Sequence, residues 1–264
     1  MADWTEDDSR TYLDLAALAV PRRAEQLATL ASLVPVGPAD ACRIVEIGCG
    51  DGRLSAALLE LLPRAAIVAF DGSPAMRAAA RTRLERFGDR ARVAPFELQT
   101  VDWWETLFGA DVVVSALTLH HLNEAKTQYV YKAIADRVSP RGVLLIADLI
   151  APSHPTGWTL AGDLWDRSAR AEADARDAGQ VLERFEAAQW NLFRHPDPSE
   201  HPAALFHHLV WLRHAGFTAV DCWWLFAGHA VFGGYKNTEG ASGGVAYGDA
   251  LVVVRRVLDE RPVN

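Results

Sequence analysis

Cysteine is scarce: three residues in 264, Cys42, Cys49 and Cys222, with no CxxC spacing among them. That excludes a disulfide scaffold and a cysteine-built zinc site, and it fits a reducing compartment. Lysine is equally rare, since only Lys126, Lys132 and Lys236 are present and arginine supplies the other 23 of 26 positive charges. With the abundant alanine, this reflects overall composition rather than function. Positive charge also falls short of negative, 26 against 34 for a net charge of −8. Such a balance argues against tight, sequence-independent binding to long nucleic acid, which needs clustered Lys and Arg against the phosphates, and leaves room for a small local basic site. No run of about 18 uninterrupted apolar residues exists, so no membrane span is expected. The first eight residues, Met-Ala-Asp-Trp-Thr-Glu-Asp-Asp, are acidic where a secretory or transit peptide would be basic. A cytoplasmic location is the expectation.

What is present is an ordinary folded composition, 50% hydrophobic with a mean hydropathy of +0.01. The length suits one α/β domain with an elaboration, or two small domains at most. From Cys42 to about Ile150, short β-branched runs alternate with amphipathic stretches, the pattern of successive βα units. Strands are expected at Arg43–Ile47, Ala66–Phe70, Arg92–Phe96, Asp111–Ser115 and Gly142–Asp148. Helices are expected at Arg53–Leu62, Pro74–Phe87 behind Ser73 as N-cap, Trp103–Phe108, and Glu124–Val138 behind Asn123. Arg10–Leu33 reads as one or two helices broken at Pro21, and Thr159–Trp190 as a long helical stretch. After a loop at Asn191–Pro202 and a helix at Ala203–Ala215, two β-like runs, Thr218–Phe226 and His229–Tyr235, flank Ala227-Gly228 as a hairpin. Asn237–Gly248 is a Gly-rich linker, and the apolar run Ala250–Leu258 has no decided state.

The strongest local signal is Ile44-Val45-Glu46-Ile47-Gly48-Cys49-Gly50-Asp51-Gly52, which closes the first strand and opens a helix. Glycines there allow a sharp turn and close approach of a ligand to the backbone. Asp71 closes the second strand 19 residues after Gly52, a spacing that suits hydrogen bonding to ribose hydroxyls. A dinucleotide loop would read GxGxxG. Here the glycines fall at every second position behind an acidic residue, which would repel a pyrophosphate and attract a positively charged nucleoside.

These residues resemble the class I S-adenosylmethionine-dependent methyltransferases, whose first motif is an acid followed by xGxGxG. The likeness extends to Asp71, to Phe96-Glu97-Leu98 after the third strand, to Ser115-Ala116-Leu117-Thr118-Leu119-His120-His121-Leu122 after the fourth, and to Gly142–Asp148. It implies a Rossmann-like α/β fold: a seven-stranded sheet, mostly parallel with an antiparallel C-terminal hairpin, and helices on both faces. It further implies S-adenosylmethionine as cofactor. Glu46 and Gly48 would hold the methionine end and Gly50 would allow close approach to the nucleoside, with Cys49 and Gly72 also among the cofactor-binding residues. Asp71 would bind the ribose, Glu97 and Leu98 the adenine, and Ser115 and Leu117 would complete the crevice. Two departures stand out: the adenine position is more often Asp, with Asp102 as competitor, and the fifth strand begins Arg141-Gly142 rather than with two glycines. The implied organisation is an N-terminal helical segment at 1–40, a methyltransferase domain at 41–236 with a helical cap inserted at about 151–215, and a linker and tail at 237–264.

The expected reaction is methyl transfer to a small-molecule acceptor by direct displacement, for which positioning does most of the work. His120 and His121 are the candidates for a catalytic role, with Tyr12 and Tyr129 as further bases, although such a histidine pair also serves simply to cap a turn. Without a third ligand at defined spacing it makes no metal site, and no metal is expected. His195, His201, His207, His208, His214 and His229 show no ligand spacing either. Trp103 and Trp104 fall near the expected adenine face, while Trp158, Trp165, Trp190, Trp211, Trp223 and Trp224 are either cap core or walls of an acceptor pocket. Pro21-Arg22-Arg23 offers a guanidinium to an anionic acceptor or to the methionine carboxylate, or else a solvated helix face. Three alternatives stay open: a carboxymethyl-cofactor or tRNA-modification enzyme of the same fold, suggested by Trp211–Phe217; an NAD(P)-linked oxidoreductase; and a non-catalytic cofactor-binding protein. Nothing in the sequence sets the oligomeric state.

Overall fold

The strands of the central sheet are buried on both faces except at the two edges, Ala91–Pro95 and Ala219–Phe226, which are partly exposed, and this burial is why the inner ones read as near-continuous apolar runs. In the computed structural model, which describes residues 5–16, 18–237 and 244–259, the strands are β1 (Cys42–Ile47), β2 (Ala65–Asp71), β3 (Ala91–Pro95), β4 (Val112–Ala116), β5 (Val143–Leu149), β6 (Ala219–Phe226) and β7 (His229–Tyr235). Their order is β3-β2-β1-β4-β5-β7-β6, with β1 to β5 parallel and β7 antiparallel to both neighbours. The expected seven-stranded sheet with its antiparallel hairpin is therefore present.

Nine α-helices are described: α1 (Glu6–Leu15), α2 (Arg23–Ser32), α3 (Arg53–Leu61), α4 (Pro74–Leu84), α5 (Glu124–Arg137), α6 (Pro155–Arg176), α7 (Gly179–Ala187), α8 (Leu205–Ala215) and α9 (Tyr247–Asp259). Ser73 and Asn123 cap α4 and α5 by accepting from the amides of Met76 and Lys126. One face of the sheet packs against α2 and α3, over which α9 is laid, in one core that includes Leu27, Leu58, Val254, Ile44, Ile67 and Val112. The other face packs against α5 and α8 through Ile134 and Leu212 on Val113, Leu144 and Phe232. A third cluster, Leu15, Val20, Ala161, Trp165, Phe185, Leu192 and Phe193, joins α1, α6 and α7 above the strand ends.

Several local expectations shift. The stretch read as one helix to Phe87 ends at Leu84 and continues as a 3-10 turn to Arg90, because Gly88 (φ 55°, ψ −135°) leaves helical geometry. Thr159–Trp190 starts earlier, at Pro155, and breaks at Asp177, whose φ of 52° ends α6. Trp103–Phe108 is a 3-10 turn over Asp102–Leu107. The helix placed at the end of the cap, α8, lies on the sheet beside α5 instead. Ala250–Leu258 is helical: Ala250, Val254 and Val257 recur on the face of α9 that meets α2 and α3. The rest of the Gly-rich linker, residues 238–243, lies outside the described residues, as do 1–4 and 260–264. Among the described residues, no helix is long and apolar enough to cross a membrane.

Candidate active site

Strand order reverses between β1 and β4, and in an open α/β sheet that is where a crevice forms at the carboxyl ends of the strands. Here it is a cavity of about 630 Å³. Its floor is the turn from β1 into α3, where Gly48, Gly50 and Gly52 have φ of 70°, 52° and 79°. At Gly48 a side chain would be strained and would also run into Thr118 from the β4 side. Gly52 lets α3 start against α4, its would-be Cβ lying 3.2 Å from Ala80.

Asp71 reaches across from β2 and accepts from the Gly50 amide at 2.8 Å and the Ser73 amide at 2.9 Å. Burial pushes its carboxyl up to about 6, against the pull of these amides. Glu46, only 1% exposed, accepts from the Ser55 hydroxyl, and burial raises its carboxyl to about 8. Arg23, at the start of α2, faces the same space; its Nη1 is buried and makes no hydrogen bond, while its charge acts on Glu46. Cys49 lies beside them with its thiol pushed well up by burial. Gly72, Glu97, Leu98 and Leu117 complete this end. Asp102, the competitor for the adenine position, is not on the wall. Ser115 is not there either: it is fully buried, and its hydroxyl donates to the Ile47 carbonyl at 3.0 Å, tying β4 to β1. Trp103 and Trp104 stay behind the wall, where Trp103 packs on Phe70 and Phe96.

The opposite end is assembled from distant segments. Beyond β4, Leu119–His121 forms a 3-10 turn held by Asp148 of β5, whose Oδ2 accepts from the amides of Leu119 (2.9 Å) and His120 (3.2 Å). Asp148 Oδ1 also pairs with His120 Nδ1. His120 Nε2 meets Glu200 Oε2 at 2.9 Å, and His121 Nδ1 lies 3.4 Å from the same oxygen. Burial opposes a charge on His120, but Asp148 and Glu200 outweigh it and raise the imidazole to about 10. His121 goes the other way, down to about 4, through burial first and the neighbouring His120 charge second. The Glu200 loop is anchored by the His201 amide, which donates to the His120 carbonyl at 2.7 Å.

Tyr12, Trp165, Trp190, Leu192 and His229 wall this end. Trp158, Trp211, Trp223 and Trp224 do not line it, and Tyr129 is 60% exposed on α5. Helix α1 spans both ends: the Glu6 carboxylate accepts from the Ser73 hydroxyl (2.7 Å) and the Ala75 amide (2.9 Å), while Tyr12 meets Trp190 with ring centroids 6.1 Å apart. Sequence reasoning missed Glu200 and the part played by Asp148. Asp148 closes the Gly142–Asp148 segment of the resemblance without a role, and Glu200 carried no local signal.

The sheet order and the crevice at its switch point define a Rossmann-like α/β fold. A family model described as a methyltransferase domain matches residues 45–144. The trans-aconitate 2-methyltransferase of Methylobacterium nodulans is 31% identical over 237 residues, 88% of this chain and 76% of that protein. An uncharacterized methyltransferase of Mycobacterium tuberculosis is 31% identical over 144 residues, 51% of this chain and 66% of that one. Among solved structures, an O-methyltransferase family 2 protein from Planctomyces limnophilus in complex with apigenin shares the fold at a TM-score of 0.57 and 20% identity, covering 88% of this chain and 62% of that one. The chain thus spans just under two thirds of the Mycobacterium protein and of the solved chain. It belongs to the class I S-adenosylmethionine-dependent methyltransferases, a family of enzymes.

Proposed function

We propose that this protein transfers the sulfonium methyl group of S-adenosylmethionine to a small-molecule acceptor by direct in-line displacement. The observation that carries the reading is a single cavity joining the Gly48–Gly52 turn, Asp71 and Glu97 at one end to His120, His121 and Glu200 at the other. The residues fit the cofactor. Glu46 and the unbonded Arg23 Nη1 stand ready for an ammonium and a carboxylate, Asp71 for ribose hydroxyls, and Glu97 with Leu98 for an adenine.

The bound cofactor supplies a methyl carbon already activated by positive charge. To receive that methyl group, a neutral acceptor would also have to give up a proton. The chain's own contribution is alignment and exclusion of water, worth several kcal/mol of barrier. Helices α1, α6 and α7 close over the cavity, and Tyr12, Trp165 and Trp190 give the acceptor flat walls. His120 and His121 orient the acceptor. Where a proton must be taken up, His121 is the neutral imidazole of the pair, lowered to about 4 by burial and the His120 charge and so a weak base, while His120 keeps its proton between Asp148 and Glu200. The covered cavity and the small compounds in the names of similar proteins, trans-aconitate and apigenin, support a small acceptor.

Calorimetric titration with S-adenosylmethionine tests the reading. Saturable binding is expected, weakened at least tenfold, about 1.4 kcal/mol, in Asp71→Ala. Absence of saturable binding by the wild-type chain would overturn the function; unchanged affinity in the variant would remove Asp71 from the site.

A further inference from the structure

We propose that His120, His121 and Glu200 form a binding site for one divalent transition-metal cation at the acceptor end of the cavity. Two imidazoles and one carboxylate converge there, each offering one ligand atom, and all three atoms lie within 4.8 Å of one another. The two separations involving Glu200 Oε2 are 2.9 Å to His120 Nε2 and 3.4 Å to His121 Nδ1. Ligand bonds of about 2.0–2.2 Å hold neighbouring donors roughly 3 to 3.5 Å apart. The cluster therefore needs little movement to close on an ion.

The surroundings are built as metal sites are built. His120 turns its other ring nitrogen to the Asp148 carboxylate, the partnership that fixes tautomer and orientation in metal-ligating histidines. Asp148 is itself fixed by the amides of Leu119, His120 and Leu149. Glu200 arrives on a loop bonded to the carbonyl of one of the ligands, through His201 N to His120 O, and the Ala151 amide to the Ala203 carbonyl (2.9 Å) secures the chain just beyond it. Imidazole nitrogen with a single carboxylate favours zinc, cobalt, nickel or iron over magnesium or calcium. Three protein ligands leave at least one position open, and all three residues line the cavity, so that position faces the acceptor space.

A cation there would take an acceptor oxygen as its next ligand, which names the acceptor class: a hydroxyl or carboxylate oxygen rather than carbon. In the loaded state, the His121 nitrogen is a ligand instead of a proton acceptor, and acidification of the acceptor passes to the cation. The histidine pair looked unable to hold metal because its third ligand lies 79 residues further along the chain.

The same geometry could instead hold a proton between His120 and Glu200, and the experiment separates the two. The full chain, free of any affinity tag and dialysed against a chelator, is titrated with Co2+ and followed by visible d–d absorption and calorimetry. One equivalent per chain is expected, with affinity at least tenfold weaker in Glu200→Gln and in His121→Gln, both checked for unaltered melting. Asp148→Asn should weaken binding about tenfold as an orienting residue. No saturable one-equivalent binding, or equal binding in Glu200→Gln, overturns the proposal. If a variant fails to fold, zinc-edge absorption of the wild-type chain decides: scattering from two imidazoles supports the site, and its absence overturns it. None of these readouts uses the cofactor or an acceptor, so failure here leaves the methyl-transfer reading standing, and failure of cofactor binding leaves this one standing.

Discussion

The two ends of the cavity are made differently. At the cofactor end, the Glu46–Gly52 segment and Asp71 come from one β-turn-α unit and the next strand, held largely by backbone geometry: positive φ at three glycines and amides donating to a carboxylate. At the acceptor end, Tyr12, His120, Trp165, and Trp190 with Glu200 come from four separate segments, held by side-chain packing and ion pairs. An end fixed by backbone tolerates no change of residue type but depends on few contacts. An end fixed by packing tolerates substitution locally but depends on the whole cap.

The largest effect should come from cutting the cap. Trp165 is 3% exposed and packs on Phe185, Phe193 and His229. Trp165→Ala should cost about 3–5 kcal/mol in denaturant unfolding. Below its melting range it should still bind S-adenosylmethionine; loss of cofactor binding in a folded variant would break the division between the ends. Gly48→Ala should do the reverse. A left-handed φ costs an L-residue about 1–2 kcal/mol before the collision with Thr118 is counted. Cofactor affinity should fall roughly 100-fold, about 2.7 kcal/mol, with the cap intact. Calorimetry on the variant checks this, and near-native affinity would contradict it.

The smallest effect sharpens the electrostatics of the cofactor end. With its carboxyl raised to about 8, Glu46 is protonated near pH 7 in the free protein. An arriving ammonium group should expel that proton. Calorimetry at pH 7 in buffers of different ionisation enthalpy should therefore report net proton release, fading above pH 9 and absent in Glu46→Gln. Stability follows the same group: between its unfolded value near 4.5 and about 8 the folded chain binds more protons, so its contribution is full below that window and is lost as pH rises through it. Asp71 adds a similar loss between 3.8 and about 6.

The contrast also explains what the sequence disclosed. The inner parallel strands β4 and β5 were readable because burial on both faces leaves largely apolar runs, and the glycine turn because its residue types are dictated by φ within five consecutive positions. Glu200 was not readable: a carboxylate in a Pro- and Asp-rich loop resembles any solvated acid until the fold brings it to His120. Ser115 shows the opposite failure, since it sits in the right strand but its hydroxyl turns to the Ile47 carbonyl. At α9, the run Val252-Val253-Val254 favours a strand by local preference, yet packing of Ala250, Val254 and Val257 against the sheet cover selects a helix. Arg23 faces the cavity just after the left-handed turn at Arg22, a placement that no local pattern separates from a solvated helix face.

That last helix has a consequence in time rather than in shape. Helix α3, which opens from the glycine turn and lies on β2, is itself covered by α9, which also packs along α2, and about 215 residues of chain separate the end of α2 from the start of α9. Contacts between segments so far apart carry a loop-closure cost that local pairings do not, and they slow folding. The segment most legible in the sequence is thus among the late ones to be sealed: its strands form locally, but their cover is completed only when α9 docks.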